Sequence, residues 1–292
     1  MKISDIKDIK LNVLKDGIFE NLGSCKNNYP KMLTYVENDE FLAIAKNNPL
    51  ISCIITKNDF ADKFDNCGVV VSDNPKETFY SIHEFLGNNT DFYRKNIKKS
   101  IDLSAKIDKT AHIAENVIIG KNVLIEKNVV ILDNTIIGND VIIRSGAVIG
   151  TQGFSFYRKQ NTIKDIFHAG GVTIGNGVEI QANSCISRSI FNDFTEIGDM
   201  TKIDNLVHIA HGVKIGKRCL LAANCMIAGY TKIGDDSWIG PSSSISSELE
   251  LGKNVFITIG SVITKNVLDG SKMSGNFAIE HDKFIEFIKK IR

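Results

Sequence analysis

Residues 101–149 read IDLSAKIDKTAHIAENVIIGKNVLIEKNVVILDNTIIGNDVIIRSGAVI, with an isoleucine at every sixth position. The same spacing returns over residues 174–186, shifts by one residue, and continues from Ile197 to Ile263 with leucine at two of its positions. The three runs contain nine, three and twelve six-residue units. A short period that persists over most of a chain indicates a solenoid, in which each coil of the backbone stacks on the one before it.

The six-residue unit also predicts the shape of one coil. Two positions before most of the large apolar residues lies a small or β-branched one, such as Val117 or Val123. A V-x-I segment turns two side chains to the same side, as a strand does, and the Gly-x-Asn at residues 120–122 supplies turn residues. Three units then close a triangular coil, and residues 18 apart stack about 4.8 Å from each other. We expect a mainly β, parallel β-helix of about eight coils.

The repeat divides the chain into three segments. Residues 1–98 lack it and alternate helix-like with strand-like runs, which predicts a small α/β domain. Residues 99–268 form the predicted β-helix, interrupted by a loop at 151–171 and an irregularity at 191–194. Long inserts in a solenoid commonly build a binding face, so a purely structural rod, the plain alternative, would have no use for them. Residues 269–292 predict a C-terminal amphipathic helix.

Composition excludes several classes of protein. Lysine plus arginine number 35 against 34 acidic residues, a balance that argues against a nucleic-acid partner. None of the six cysteines falls in a C-x-x-C pair or a zinc-ligand spacing, so no metal is expected. No stretch approaches the roughly 20 apolar residues of a membrane span, and the first residues lack a signal-peptide core. We expect a cytoplasmic protein without a permanently bound cofactor.

Two histidines in VHIAHGVKIG are the candidates for acid–base chemistry. His208 precedes an inward isoleucine and points outward, and His211 falls at the following turn. The 18-residue stacking places Gly229 on His211, where the missing side chain leaves room for a ligand. A surface histidine at a solenoid turn is the alternative for His211, and it is the favoured role of His208. The His-x-x-His spacing suggests no third ligand for a metal.

Several segments resemble a known family. They are IDNLVHIAHGVKIG at 203–216, GTQGFSF at 150–156, VTIGNGVEI at 172–180, LTYVENDEFL at 33–42 and SDNPKETFYSIHEFL at 72–86. Together they resemble the UDP-3-O-acylglucosamine N-acyltransferases of lipid A synthesis, and the related N-acyltransferases of nucleotide-linked amino deoxysugars, typified by the anthrose-pathway enzyme. The resemblance implies a left-handed β-helix, against the usual right-handed crossover, and a homotrimer with active sites between neighbouring rods.

The resemblance also implies roles for individual residues. His211 matches the general base, and Gly229 matches the glycine whose backbone N–H binds the developing oxyanion. Tyr35 and Phe41 match two aromatics that stack on the nucleobase, although a core role for Phe41 is equally open. Further contacts are predicted to the acyl donor from Ala228, Gly229, Ser246 and Ser247, and to the sugar substrate from Phe154, Phe156, Asn205 and His208.

Departures from the family pattern guide the choice of substrate. The family's I-D-R-G is Ile186-Ser187-Arg188-Ser189 here, a second family histidine falls on Glu248, and A-G-G becomes Ala222-Ala223-Asn224. We therefore favour acyl-coenzyme A as donor and a nucleotide sugar such as dTDP-4-amino-4,6-dideoxyglucose as acceptor. The alternatives are the lipid A enzyme with acyl carrier protein (acyl-ACP), a non-catalytic trimeric sugar-nucleotide-binding scaffold, and a zinc-dependent γ-type carbonic anhydrase. The thioester sulfur is an alternative to His211 as the final proton acceptor.

Overall fold

The computed structural model describes residues 1–93, 97–275 and 278–291, and the chain divides into two compact units. The first unit comprises Met1–Asn96, Gln152–Gly171 and Ser189–Phe194, and the second comprises Ile97–Thr151, Val172–Arg188 and Thr195–Arg292. Both interruptions of the repeat thus belong to the first unit, whereas the sequence analysis placed them in the β-helix domain. An inserted residue has no position in the stacked coils, so its side chain packs wherever it finds other apolar partners.

The first unit contains a five-stranded sheet. Its strands are β1 (Asn12–Lys15), β2 (Asn21–Leu22), β3 (Met32–Val36), β4 (Ile51–Thr56) and β5 (Gly68–Val71), in the order β1-β5-β4-β3-β2. Strands β2 to β5 run parallel and β1 is antiparallel to β5. Two helices, α1 (Asp39–Lys46) and α2 (Pro75–Asn89), and two 3₁₀ segments, Ile3–Asp5 and Asn58–Lys63, complete the α/β arrangement.

Local chemistry explains where the two helices begin. The Asn38 side chain accepts a hydrogen bond from the Phe41 amide, 2.9 Å, and so caps α1. Pro75 occupies the first turn of α2, where its missing N–H costs nothing. The buried face of α2 includes His83, whose Nε2 lies 2.8 Å from the Phe167 carbonyl oxygen.

The first interruption of the repeat folds as a β-hairpin. Strand Phe156–Lys159 pairs antiparallel with Thr162–Asp165. Within the first unit, Tyr157 stacks on Tyr80 of α2 at a ring-centroid distance of 5.6 Å and an interplanar angle of 22°. Such offset stacking adds to the burial of both rings.

The second unit is a rod with three parallel sheets, of nine, eight and eight strands, which we call the first, second and third faces. The first face contains Lys106–Ile107, Leu124–Ile125, Ile142–Ile143, Glu179–Ile180, Lys202–Ile203, Leu220–Leu221, Trp238–Ile239, Phe256–Ile257 and Lys272–Met273. The second contains His112–Ile113, Val130–Ile131, Val148–Thr151, Cys185–Ser187, His208–Ile209, Met226–Ile227, Ser244–Ile245 and Val262–Ile263. The third contains Ser100–Ile101, Val117–Ile119, Thr135–Ile137, Gly171–Ile174, Phe194–Ile197, Lys214–Ile215, Lys232–Ile233 and Glu250–Leu251.

The register confirms the predicted stacking of residues 18 apart. Ile209 pairs with Ile227, and Ile227 with Ile245, in parallel ladders. Nearly all the repeat isoleucines are buried in one continuous core. Each such side chain contributes about 1.5–3 kcal/mol of transfer free energy, which accounts for a stable rod. The predicted fold class, a left-handed parallel β-helix, is confirmed.

A third helix, α3 (His281–Ile291), lies near the end of the chain. Its side chains Phe284, Ile285 and Phe287 are exposed in the single chain. Among the described residues, no helix is long and apolar enough to cross a membrane.

Candidate functional site

The candidate site lies on the turns that join the second face to the third, which we call the His211 corner. In three successive coils these turns are residues 210–212, 228–230 and 246–248. His211, Gly229 and Ser247 therefore occupy the same position in consecutive coils. This is the vertical arrangement that the sequence predicted.

Gly229 lies directly against the His211 ring. A Cβ atom at position 229 would lie 2.5 Å from His211 Nε2 and 2.9–3.0 Å from its two neighbouring ring carbons. Gly229 is therefore required for space, because any side chain would displace the imidazole. Gly229 is buried, and its amide N–H donates to no partner within the described parts of the chain, which is rare for a buried backbone amide.

Tyr230 also contacts His211. The two rings meet edge to face, with centroids 5.4 Å apart and planes at 73°. The Tyr230 amide donates to the His211 carbonyl oxygen at 2.9 Å. Tyr230 could not be identified from the sequence, since its backbone conformation and ring contact follow only from the coil geometry.

Both interruptions of the repeat leave the rod at the His211 corner. The first departs after Val148–Thr151 of the second face and returns at Gly171–Ile174 of the third. The second departs after Cys185–Ser187 and returns at Phe194–Ile197, one coil before His211. Thr195 follows the second interruption and bonds to two neighbouring segments. Its Oγ1 donates to the Ser187 carbonyl oxygen at 2.6 Å and accepts from the Gly212 amide at 2.9 Å.

Arg188 adds a cation to this corner. Its Nε donates to the Gly150 carbonyl oxygen at 2.6 Å. Burial lowers the pKa of the Arg188 guanidinium, and the carboxylate of Asp133 opposes that shift. Throughout the described chain, its two terminal amino groups have no hydrogen-bond partner. In the sequence, Arg188 stands out only as part of a departure from the family motif and is not predicted as a site residue.

The predicted acyl-donor residues share the His211 corner. Ala228 precedes Gly229, and Ser246 occupies the position of Ala228 one coil further on. Ser246 and Ser247 are exposed, and Ser247 follows Gly229 in the same column. The structure therefore brings His211, Gly229 and the donor candidates to one edge of the rod.

The predicted sugar contacts from the rod are divided. His208 lies on the second face between Cys185 and Met226, three residues before His211, and burial lowers the pKa of its imidazole. Asn205 lies instead on the turn between the first and second faces. There it accepts from the Ala182 amide at 3.1 Å and donates to Asp204 at 2.8 Å. Within one chain, the structure does not bring Asn205 to His211.

The two aromatic side chains of the first unit that are predicted to stack on the nucleobase contact each other. The Tyr35 and Phe41 rings meet edge to face, with centroids 6.3 Å apart and planes at 77°. A base stacked between two aromatics needs parallel rings on either side of it, so one ring would have to turn. Tyr35 also packs on Phe79 and Tyr80, and burial raises its pKa well above the usual value. Phe41 is thus the ring with more freedom.

The predicted insert aromatics are available to a ligand. Phe154 is 89% exposed and Phe156 is 47% exposed. Their rings contact each other at a centroid distance of 4.9 Å. An exposed aromatic pair is costly in water and suits a surface that a partner or substrate covers. Over the described residues, no three His, Cys, Asp or Glu side chains are grouped to hold a metal.

Comparisons with known proteins place these features in context. The family described as bacterial transferase hexapeptide (six repeats) matches residues 116–151 and 194–229, and the second segment contains both His211 and Gly229. The UDP-3-O-acylglucosamine N-acyltransferase of Pseudomonas putida is 48% identical over 56 residues, 19% of this chain and 16% of that protein. The protein of the same name from Leptothrix cholodnii is 44% identical over 135 residues, 46% of this chain and 39% of its own. The matched segments thus span less than half the length of these relatives.

A solved structure supports the same architecture. The Francisella novicida UDP-N-acetylglucosamine acyltransferase superposes with a TM-score of 0.51 and 24% identity, over 68% of this chain and 76% of that one. At this identity the likeness concerns the fold.

Proposed function

We propose that this chain, a member of the hexapeptide-repeat superfamily, is an N-acyltransferase that moves an acyl group from acyl-coenzyme A to the amino group of a nucleotide-linked amino deoxysugar. The observation that carries the proposal is the contact between His211 Nε2 and Gly229, whose amide N–H has no partner among the described residues. A base and an oxyanion donor on adjacent coils are the two groups that amide formation from a thioester requires.

The proposed reaction uses these two groups in sequence. The neutral imidazole of His211 takes a proton as the sugar amine attacks the thioester carbonyl, so the C–N bond forms and negative charge develops on oxygen. The Gly229 N–H stabilises that charge. Collapse of the intermediate breaks the C–S bond, and the leaving thiolate receives the proton from the imidazolium. The products are the amide and free coenzyme A.

Arg188 supports a phosphate-bearing substrate. Its two unpartnered amino groups suit a phosphate, which guanidinium groups bind in bidentate geometry. Because Ile186 pairs with Ile209, Arg188 lies about one coil, or roughly 5 Å, before His211 along the rod. A sugar ring separates the amine from the anomeric phosphate of such a substrate, which matches this order of groups along the corner.

Thiol release tests the proposal directly. The protein is incubated with acetyl- or 3-hydroxybutyryl-coenzyme A and a panel of dTDP- and UDP-linked amino sugars, and free thiol is measured. We expect turnover with at least one amine, and its loss in His211→Ala. His112→Ala is the matched control, because His112 is an exposed histidine on the second face, away from the His211 corner, and should leave the rate unchanged. Absence of thiol release with every acceptor would refute the proposal.

The acyl-ACP-dependent lipid A reaction is the second candidate. The names of the two N-acyltransferase relatives favour it. Supplying UDP-3-O-acylglucosamine with acyl-ACP, in parallel with the coenzyme A panel, separates the two donors. A non-catalytic scaffold would show no turnover with either donor, and His211→Ala would leave its nucleotide-sugar affinity unchanged.

We further propose that the protein works as a homotrimer. The exposed apolar side chains of α3, Phe284 and Phe287, require a covering surface that a single chain does not give them. Light scattering on the purified protein gives the mass directly. A monomer at micromolar concentration would contradict the trimer and any site shared between subunits.

A further inference from the structure

Two adjacent turns at the His211 corner form a crossed arrangement of rings and glycines. His211 and Gly212 are consecutive in one coil, and Gly229 and Tyr230 lie above them in the next. The His211 ring faces Gly229, and the Tyr230 ring covers Gly212, where a Cβ would lie 2.6 Å from Tyr230 Cδ1 and Cε1. Each glycine thus makes space for the ring in the neighbouring coil. The two rings then meet edge to face.

The backbone at Tyr230 makes this arrangement costly. Its φ is +59°, in the left-handed region that non-glycine residues rarely adopt. At the other non-glycine left-handed turn positions of the rod the repeat most often places asparagine or aspartate, namely Asn122, Asn128, Asn134, Asp140, Asn183, Asn224, Asp236 and Asn254, and the remaining positions hold Met200, Leu206, Arg218, Ser242 and Glu248. Asparagine and aspartate tolerate this conformation, whereas an aromatic does not. Strain of this kind concentrates at functional sites.

We infer that Tyr230 is a positioning residue for His211. Its ring fills the space beside the imidazole, so the imidazole is held with Nε2 against Gly229 and cannot turn over Gly212. The inference rests on the proposed function, in which Nε2 receives the amine proton close to the Gly229 amide. Placement of a reacting group within about 1 Å governs the rate by up to about 100-fold. The strained turn therefore holds the catalytic ring in a fixed position.

Three variants test the inference. Tyr230→Asn removes the ring and suits the left-handed turn, and Tyr230→Phe keeps the ring but removes the hydroxyl. Met200→Asn is the matched control, because Met200 also has a left-handed backbone, φ +63°, and covers a glycine, Gly177, on a turn between the third and first faces. This control reproduces the relief of backbone strain without a neighbouring histidine.

We expect a specific loss in Tyr230→Asn. Its kcat should fall between about 10- and 100-fold, with KM close to wild type and a melting temperature no lower than wild type. Tyr230→Phe and Met200→Asn should keep the wild-type kcat. In ¹⁵N-histidine NMR spectra, the His211 ring nitrogens should move toward the values of a freely rotating imidazole in Tyr230→Asn only. A Tyr230→Asn variant with wild-type kcat, or a Tyr230→Phe variant as impaired as Tyr230→Asn, would overturn the inference.

The two proposals fail in distinguishable ways. If the wild-type protein releases no thiol with any acceptor, the proposed function fails, and the NMR comparison still shows whether Tyr230 fixes the His211 ring. If the wild-type protein turns over and only the NMR and kcat comparison gives no difference, the positioning role fails alone.

Discussion

Replacing Gly229 with alanine perturbs the proposed centre by a single carbon. An ordinary contact begins near 3.4 Å, but the new Cβ would lie 2.5 Å from His211 Nε2, so the imidazole must move by about 1 Å. A displacement of that size lowers the rate by about 100-fold, equivalent to about 2.7 kcal/mol of activation free energy. Gly229 does not have the left-handed φ of Tyr230, which follows it, so alanine adds no backbone strain.

Stability should change less than activity in this variant. The imidazole is the end of a side chain and can turn away, so the overpacking cost lies near the low end of its range, about 1 kcal/mol. A double-mutant cycle with His211→Ala isolates the contact. Once the ring is absent, Gly229→Ala should be neutral or stabilising by about 0.4–1 kcal/mol through the unfolded state.

Thiol-release kinetics and urea unfolding, measured on the four proteins of the cycle, give both numbers. Gly275→Ala is the control, since a Cβ at that glycine meets nothing within 4 Å. If Gly229→Ala kept the wild-type kcat, or if its effect on unfolding were the same with and without the His211 ring, the stacked geometry would be refuted.

Three further predictions address other parts of the molecule. Burial lowers the pKa of His83 to about 4, so the folded protein protonates this side chain at lower pH than the unfolded chain does. The free energy of unfolding should therefore fall by roughly 3 kcal/mol between pH 6.5 and 4. His83→Gln should weaken this pH dependence, measured by unfolding followed with tyrosine near-UV circular dichroism. Arg188→Lys keeps the charge but loses the bidentate fork, and it should raise KM for the nucleotide sugar about tenfold with kcat unchanged; an equal effect on KM for acyl-coenzyme A would contradict a phosphate contact. Phe284→Ser with Phe287→Ser should lower the mass found by light scattering if α3 packs between subunits, and an unchanged trimer would exclude that contact.

The rod was predictable because its physics is repetitive. A six-residue period turns the same two side chains of each unit into the core, so Ile209 and Ile227 could be assigned to adjacent positions from their spacing alone. Gly229 followed for the same reason, since stacking by 18 residues needs no knowledge of side-chain packing.

The parts that break the repeat could not be placed in this way. Phe154 was recognised as an aromatic residue in an insert, but the insert lacks the repeat, so its sequence gives no register. The hairpin that follows Phe154 folds with the first unit. Asn205 was assigned to the site from family resemblance, although its position in the coil puts it on a different turn. Arg188 was overlooked because its importance lies in unpartnered amino groups, a property of three-dimensional structure.

Departures from a regular repeat are informative because the regular residue is already the stable solution. Most of the left-handed turn positions in this rod hold residues that suit the conformation, and Tyr230 is a bulky exception beside the proposed base. Asparagine would form the same left-handed turn at a lower backbone cost than an aromatic does. The exception is compensated by Gly212 beneath the ring, and the reciprocal glycine at 229 serves His211. Each ring thus lies against the glycine of the neighbouring coil, His211 on Gly229 and Tyr230 on Gly212. We infer that this arrangement serves to position the imidazole and not to stabilise the rod.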